Sequence, residues 1–350
     1  MKQQFLSIEG VRDAVRQMPE DALTPVREAA LAHLDEHGLP TVRDEDWKYT
    51  DLGPAIDISN RWLAAGARLA TDKEIADSIA AITASIDADW LVIANGLIDD
   101  SRVTKSNGLD VSRFSERPET FVMERPLANL NAALLRDGLR IQVSAATKKP
   151  IGLLVIDSAG AATGVSQASI DIDIAPGCDV EIIEYQASVG ENDHYANSVV
   201  ELRVGQGASA SYVRMQNRGN GHVQTGRLSA ALGVDSKMSF ASYDLGGRLV
   251  RNDVEINMAE PGAEINIVGL YVAGEGQHID NHIRVDHRVG PTTSSQEYRG
   301  ILNGNCRCVW NGKAIVHEGA DGTDASQANH NLLLSDKAEI DTKPELEIYA

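Results

Sequence analysis

The chain of 350 residues carries 32 Lys and Arg against 51 Asp and Glu, a formal net charge of −19 at pH 7. Nucleic acids and anionic membranes repel so acidic a chain, which excludes non-specific binding to either as its function. Hydrophobic residues make up 43% and charged residues 24%, which is typical of a globular protein. Aromatic residues are only 5% while glycines number 30, a composition that favours thin, repetitive layers over one thick core.

The sequence shows no targeting or membrane signal. No apolar run reaches the roughly 18 residues that a membrane span requires. Residues 1–10 lack the basic and then apolar pattern of a secretory signal. We therefore predict a soluble, cytoplasmic protein. Its three cysteines are too few for a disulfide framework and are expected to be reduced thiols.

The first long element predicted along the chain is a helix over 22–37. Apolar residues recur there at close to helical spacing, at Leu23, Val26, Ala30, Leu31 and Leu34. Gly38 and Pro40 follow directly, an order that is typical of a helix end.

A polar segment over 43–52 comes next and holds two large aromatic residues, Trp47 and Tyr49. We expect these rings to anchor the N-terminal region on the rest of the protein rather than to bind a ligand. A mixed region then extends to about residue 120 and contains the apolar run 90–94.

From about residue 138 the apolar period changes from helical to two. The stretches 170–174, 254–258 and 264–267 alternate isoleucine, valine or methionine with polar residues. This alternation predicts strands with one face in water.

The strands also repeat. Four segments open with glycine and continue as a strand, at Gly177, Gly207, Gly233 and Gly262, which are 30, 26 and 29 residues apart. A period of this size indicates a solenoid, whose units must stack to bury their apolar faces. No long helical pattern interrupts the strands, which favours a β-helix or a sandwich over βαβ units. Each glycine is expected to supply a corner conformation.

Motifs for small-molecule chemistry are absent or weak. There is no Gly-x-x-x-x-Gly-Lys-Ser/Thr loop, and the fragment Gly205-Gln-Gly207 precedes a strand rather than a helix. The stretch 321–324 lacks the ligand ladder of a calcium loop and is more typical of a turn. No nucleophile motif occurs, and the carboxylates are scattered over many strands, which leaves open whether any two of them converge as an acid–base pair. We therefore assign no catalytic, cofactor-binding or metal-ligating residue.

We predict that the three cysteines lie in the core. Cys306 and Cys308 share a strand face with Trp310, which predicts a buried apolar row, although a ligand or redox role stays open. Cys178 shares its phase with Val180 and is expected in the core as well.

A histidine-rich stretch over 278–287 resembles a metal site at first sight. His278 and His282 share one phase of a predicted strand and lie about 13 Å apart, at ~3.3 Å per residue, which is too far to share one ion. His287 lies on the other, apolar phase and is expected to be hydrogen-bonded inside the stack or at a strand end.

From the residues alone, then, we predict an acidic β-solenoid with an N-terminal helical region and no evident active site. Two rival functions stay open. Carboxylates grouped on a solenoid face would suit a polysaccharide-active enzyme, although a secretion signal and sugar-stacking aromatics are lacking. Cys306, Cys308 and the histidines would suit a metal-storing or redox protein.

The last sixty residues carry a more specific pattern. Its segments are Ser295–Gly300, Asn311–His317, Gln327–Ser335 and Thr342–Ala350. Other pieces agree with them: the Trp-Lys-Tyr-Thr motif within Arg43–Thr50, Asn129–Ala133, Asp137-Gly138, Pro150-Ile151 and, loosely, His278–His287. As a set, over about residues 43–350, these segments resemble the SufD branch of the SufB/SufD family, which belongs to the SUF iron–sulfur cluster assembly system.

The resemblance implies a mainly β fold, a right-handed parallel β-helix over 121–350 with a helical or mixed region over 1–120. It implies a scaffold that is not an enzyme and that pairs with SufB through the β-helix ends, while the SufC ATPase grips each subunit. A homodimer is a further form to expect. An iron–sulfur cluster and reduced flavin are implied for the complex, with no residue assigned to either.

In that family, the strand that matches Pro344–Ala350 continues into a segment whose histidine faces a SufB cysteine, and then into a helical domain that contacts SufC. This sequence ends before both, so we transfer no cluster ligand to it. We expect it to fold as a β-helix, to bind SufC weakly and to leave Leu346–Tyr349 as an exposed edge.

Overall fold

A computed structural model describes residues 8–67, 74–103, 108–117, 125–158 and 163–350. The α-helices within these ranges are α1 (Ile8–Arg16), α2 (Thr24–His37), α3 (Gly53–Ala64), α4 (Glu74–Ser85) and α5 (Pro126–Leu134). The first strands are β1 (Asp89–Ala94), β2 (Leu97–Ile98), β3 (Leu109–Arg113), β4 (Leu139–Val143), β5 (Ile151–Ser158) and β6 (Gly164–Ile174).

The strands continue without another α-helix to the end of the chain. They are β7 (Asp179–Val189), β8 (His194–Val204), β9 (Ser209–Asn217), β10 (His222–Leu232), β11 (Lys237–Asp244), β12 (Leu249–Met258), β13 (Glu264–Ala273), β14 (His278–His287), β15 (Thr293–Leu302), β16 (Arg307–Val316), β17 (Asp324–Leu333) and β18 (Glu339–Ile348).

The strands form two stacked sheets, and the chain alternates between them. Sheet 1 has the order β17-β15-β13-β11-β9-β7-β5-β1-β2, and sheet 2 the order β18-β16-β14-β12-β10-β8-β6-β4-β3. Pairing is parallel except at the first step of each sheet, where β1–β2 and β3–β4 are antiparallel. The result is a parallel β-solenoid of about seven turns, which confirms the predicted fold class.

The core lies between the two sheets, where the period-two residues point inward. Ile170, Ile172 and Ile174 are each at most 2% exposed, and the apolar residues of 254–258 and 264–267 are buried with them. Because successive turns stack in register, each inward row of apolar side chains continues from turn to turn.

Three of the four predicted glycine corners have the expected backbone. Gly177, Gly207 and Gly262 have φ of 70°, 63° and 76°, a region that residues with a Cβ enter only at a cost. At the third unit the prediction was wrong, because Asp235 rather than Gly233 takes the left-handed conformation, with φ of 52°. Gly233 instead allows a close approach, since a Cβ there would lie 3.0 Å from the Gln206 nitrogen of the preceding turn.

The N-terminal helices pack on the outer faces of the sheets. The helix predicted over 22–37 is confirmed as α2, and Gly38 ends it by donating to the Leu34 carbonyl at 2.9 Å. Helices α1, α2, α3 and α5 form a second apolar cluster on the outer face of sheet 2, whereas α4 packs on sheet 1. None of the described helices has the length and apolarity to cross a membrane.

The predicted division at 120/121 falls in 118–124, outside the described residues. Strands β1 and β3 precede that point and already pair with the solenoid sheets. The division itself stays a prediction.

Candidate functional site

The three cysteines are all buried free thiols in the apolar core, as predicted. Cys308 lies in the same inward row as Trp310, and Cys306 lies at the corner that precedes β16. Both cysteines are 0% exposed. Burial raises the pKa of the Cys306 thiol and, more strongly, that of Cys308. Protonated, enclosed thiols are poor nucleophiles and poor metal ligands.

His287 ends β14 and is fully enclosed, again as predicted. Its Nδ1 lies 2.7 Å from the Thr292 hydroxyl and its Nε2 lies 2.8 Å from the Ser294 hydroxyl. Burial lowers its pKa to about 4, although the neighbouring Asp286 carboxylate acts in the opposite direction. The neutral ring therefore serves as a hydrogen-bonding strut at neutral pH.

His278 and His282 share the outward phase of β14, and Asp280 lies between them. Asp280 is fully buried; its Oδ1 lies 3.1 Å from His282 Nε2, and its other oxygen accepts a hydrogen bond from the Thr50 hydroxyl. The same hydroxyl lies 2.8 Å from His278 Nε2, so we infer that this ring donates to Thr50. The two imidazoles thus meet protein partners rather than a common ion. No group of three or more His, Cys, Asp or Glu residues suited to a metal occurs in the described ranges.

Arg251 of β12 completes the buried cluster. Its Nη1 donates to Asp280 Oδ2 at 2.7 Å, and its Nε and Nη2 donate to Asp253 Oδ1 at 3.1 and 2.7 Å. Burial alone would raise the pKa of Asp280, but the charges of Arg251 and His282 hold it well below its usual range. At the centre of the cluster, Arg251 and Asp280 therefore form an ion pair that is shielded from solvent.

The segment over 43–52 covers this ion pair and crosses the outer face of sheet 2. The Trp47 ring lies 4.4 Å from the Arg251 guanidinium, which also donates to the Asp46 carbonyl at 2.8 Å. The Tyr49 ring lies 5.6 Å from the guanidinium of Arg307 on β16. These are the contacts of an anchor, the role expected for Trp47 and Tyr49 from the sequence.

A cavity of about 160 Å³ lies between this segment and sheet 2. Trp47 and Pro126 border it on one side, and Arg227, Arg251 and Lys313 on the other. All three of these cations already have carboxylate partners, at 2.5 to 2.7 Å for their nearest contacts. Small-molecule sites commonly measure about 300–1,000 Å³. The cavity is thus a small, charge-balanced space under the anchor.

Comparison with known proteins identifies the family. The profile described as SUF system FeS cluster assembly, SufBD core domain, matches residues 155–350, more than half of the chain. The chain belongs to the SufBD core family.

Individual SufBD proteins agree with this assignment. The iron–sulfur cluster assembly protein SufD of Escherichia coli is 26% identical over 338 residues, covering 93% of this chain and 78% of the relative. A SufBD family protein of Synechocystis is 26% identical over 379 residues, covering 100% and 80%. A third, from Mycobacterium leprae, is 30% identical over 181 residues, covering 48% and 46%.

Within the described residues of the SufBD β-solenoid, β17 and β18 each pair on one side only, β17 with β15 and β18 with β16. The predicted exposed edge over 346–349 is confirmed, since Leu346, Ile348 and Tyr349 are 52%, 61% and 63% exposed. A second exposed apolar set that sequence reasoning did not single out lies at the end of β17, namely Leu332, Leu333 and Leu334. Edge strands that carry exposed apolar side chains are typical of surfaces that dock another chain.

Sequence reasoning also missed charges inside this SufBD solenoid. Arg218 and Asp157 have fully enclosed side chains and form an ion pair, and Arg218 also donates to Gln224 Oε1 at 2.6 Å. Burial alone would raise the pKa of Asp157, but Arg218 and His194 hold it well below its usual range. One signal was available, because Asp157 continues the inward phase of Leu153 and Val155.

Proposed function

We propose that this chain is a cytoplasmic scaffold subunit for iron–sulfur cluster assembly in the SUF system, and that it is not itself an enzyme. The observation that carries the proposal is the SufBD core match over 155–350, which spans the second half of β5 and all later strands. The three cysteines and His287 support it as well, because each is enclosed by protein and none faces a cleft.

We propose SufB as the partner at the end of the solenoid that β17 and β18 form. The exposed leucines at 332–334 and the edge strand β18 together offer apolar area and unpaired backbone groups, the two features that strand-to-strand docking uses. Pairing with the SufC ATPase is proposed from family membership alone, and we assign no residue to it. The iron–sulfur cluster is cargo of the complex in this proposal.

We place no reduced flavin in the cavity under the anchor. The cavity under the anchor, at about 160 Å³, is smaller than common small-molecule sites, and its cations are already paired. The residues around this cavity do not fit a flavin, and we propose a flavin at the level of the assembled complex without assigning it a residue of this chain.

The test is co-purification and complementation. The tagged chain, co-expressed with SufB and SufC from the same genome, is expected to retain SufB in stoichiometric amount. In cells that rely on the SUF system and lack their own SufD, it is expected to restore the activity of an iron–sulfur enzyme. Failure to retain SufB would contradict the proposal, and so would recovery of polysaccharide-cleaving activity with the purified chain.

A further inference from the structure

Two histidines lie one helical turn apart at the end of α2. His33 and His37 stand at positions i and i+4, a spacing that places two side chains on the same face of a helix. Their rings are stacked, with centroids 4.1 Å apart and planes at 18° to each other. His33 is half-buried beside α5, and His37 is exposed. The helix thus holds two near-parallel imidazoles side by side.

The Nδ1 atom of each ring already has a protein partner. His37 Nδ1 lies 3.1 Å from the His33 carbonyl oxygen, which can only accept, so in the neutral ring this nitrogen carries the proton. The lone pair of His37 is therefore on Nε2. His33 Nδ1 lies 3.0 Å from Nδ2 of Asn129 on α5. Among the described residues neither Nε2 has a hydrogen-bonding partner, so a ligand would meet these two nitrogens.

The surroundings of this pair favour a cation. α2 ends at His37, and the carbonyl groups in the last turn of a helix carry partial negative charge. Glu36 and Asp35 belong to the same turn, Asp35 in an ion pair with Arg12, and the whole chain has a net charge of −19. Imidazole nitrogens bind transition metals such as Cu²⁺, Ni²⁺ and Zn²⁺, whereas Mg²⁺ and Ca²⁺ prefer oxygen ligands.

We propose that His33 and His37 form a site for a divalent transition metal, which both imidazoles bind through Nε2. No third His, Cys, Asp or Glu joins the pair within the described part of the chain, so water fills the other coordination positions. Two nitrogens in neighbouring positions around one ion lie about 3 Å apart, because each metal–nitrogen bond measures about 2.0–2.1 Å. A small rotation of the exposed His37 ring brings the stacked pair to that separation. The site is separate from the iron–sulfur cargo of the proposed function and does not depend on it.

Asn129 adjusts to the metal through its carboxamide. Without metal, its Nδ2 donates to His33 Nδ1, which places the proton of the neutral ring on Nε2. When a metal binds Nε2, that proton lies on Nδ1 instead. A half-turn of the carboxamide then lets its oxygen accept the proton. A hydrogen bond from the second ring nitrogen is the usual way in which a protein orients a metal-bound histidine.

The choice of metal follows from the donor set. For nitrogen ligands the affinity rises from Fe²⁺ through Ni²⁺ to Cu²⁺ and falls again at Zn²⁺, so Cu²⁺ is expected to bind most tightly. Once one imidazole holds the ion, the second meets it at a high effective concentration. Loss of either histidine is therefore expected to weaken binding at least tenfold, which makes the pair distinguishable from a lone surface histidine.

The test compares the purified wild-type chain with four variants. His37→Gln and His33→Gln each remove one imidazole. Asp35→His/His37→Gln keeps the number of histidines but sets them at i and i+2, where the two rings do not face each other. His330→Gln is the matched control, because His330 is an exposed histidine on strand β17.

Calorimetry with Ni²⁺ gives the affinity, electron paramagnetic resonance with Cu²⁺ counts the nitrogen donors, and the melting temperature is recorded with and without Ni²⁺. The wild type is expected to bind one ion through two nitrogens and to melt at a higher temperature with Ni²⁺. His37→Gln and His33→Gln are expected to bind at least tenfold more weakly, through one nitrogen. The Asp35→His/His37→Gln variant is expected to match His37→Gln, and His330→Gln to match the wild type.

Three results would overturn the proposal. The first is equal affinity of the wild type and His37→Gln. The second is full recovery of binding in Asp35→His/His37→Gln, since any added histidine would then hold the ion adventitiously. The third is an equal loss in His330→Gln, which would place the ion elsewhere. If His33→Gln does not fold, His37→Gln decides the question, because the His37 side chain is exposed at the end of the helix.

Discussion

The guanidinium of Arg251 and the carboxylate of Asp280 form a buried ion pair, Nη1 to Oδ2 at 2.7 Å, beneath the N-terminal segment. Both side chains are 1% exposed. Because the hydroxyl of Thr50 donates to the same carboxylate, this pair joins two neighbouring turns of the solenoid to a segment more than two hundred residues away.

Replacement of Arg251 by Met is expected to destabilise the protein by about 3 kcal/mol, since it leaves a buried carboxylate without its main counter-charge. The free energy of unfolding from urea titration is the measurement. Arg299→Met is the control, because Arg299 is 69% exposed and its pair with Glu297 contributes little. A loss below about 1 kcal/mol for Arg251→Met would show that the pair is not structural.

Trp47→Ala is expected to lower the melting temperature. The half-buried ring contacts the second apolar cluster and the Arg251 guanidinium, and its removal exposes both. We expect a loss of about 2 kcal/mol in stability. The exposed Tyr349 gives a matched aromatic control, since Tyr349→Ala removes a side chain that is 63% exposed. An unchanged melting temperature for Trp47→Ala would refute the anchor role.

Stability is expected to fall as the pH drops from about 6.5 to about 4. Burial lowers the pKa of His287 and of His222 to about 4, whereas an unfolded histidine titrates near 6.5. Between those values the unfolded chain binds more protons than the folded chain, so unfolding becomes easier as the pH falls. Each histidine contributes on the order of 3 kcal/mol over this window.

Urea titrations at several pH values measure this slope, and His287→Gln tests its origin. Glutamine keeps hydrogen-bonding capacity toward Thr292 and Ser294 but does not titrate. The variant is therefore expected to show a shallower loss of stability below pH 6.5 than the wild type. Parallel curves for the two proteins would remove His287 as a contributor.

The strands and most of the corners of the solenoid could be predicted from the sequence, because each is determined by a few consecutive residues. Alternation at Ile170–Ile174 defines a strand and its buried face within five residues, and it was confirmed. The prediction of a glycine corner was correct at Gly177, for example, which has a positive φ. The prediction was wrong at Gly233, because Asp235, two residues later, adopts the left-handed conformation instead. The sequence locates a corner, but the structure is needed to identify which of its residues has the positive φ.

Except at His287, the buried polar contacts could not be predicted from the sequence, because their partners come from distant parts of the chain. The phase of the strand placed His278 and His282 correctly on one face, but nothing in the stretch indicated that Thr50 would lie between His278 and Asp280. Likewise, the strand phase places Asp157 inward, but Arg218 lies in a corner without periodic pattern, so the sequence does not identify it as the partner of Asp157, 61 residues earlier.

The interior pair of Arg218 and Asp157 leads to a prediction about coupling. Arg218→Met leaves Asp157 buried without its cation and is expected to destabilise the protein by about 3 kcal/mol. Asp157→Leu leaves the guanidinium in the same position and is expected to cost a similar amount. In the double variant no buried charge of the pair remains, so its stability is expected to exceed that of either single variant. Urea titration of the four proteins gives the coupling free energy. Additive losses would mean that the two charges do not depend on each other.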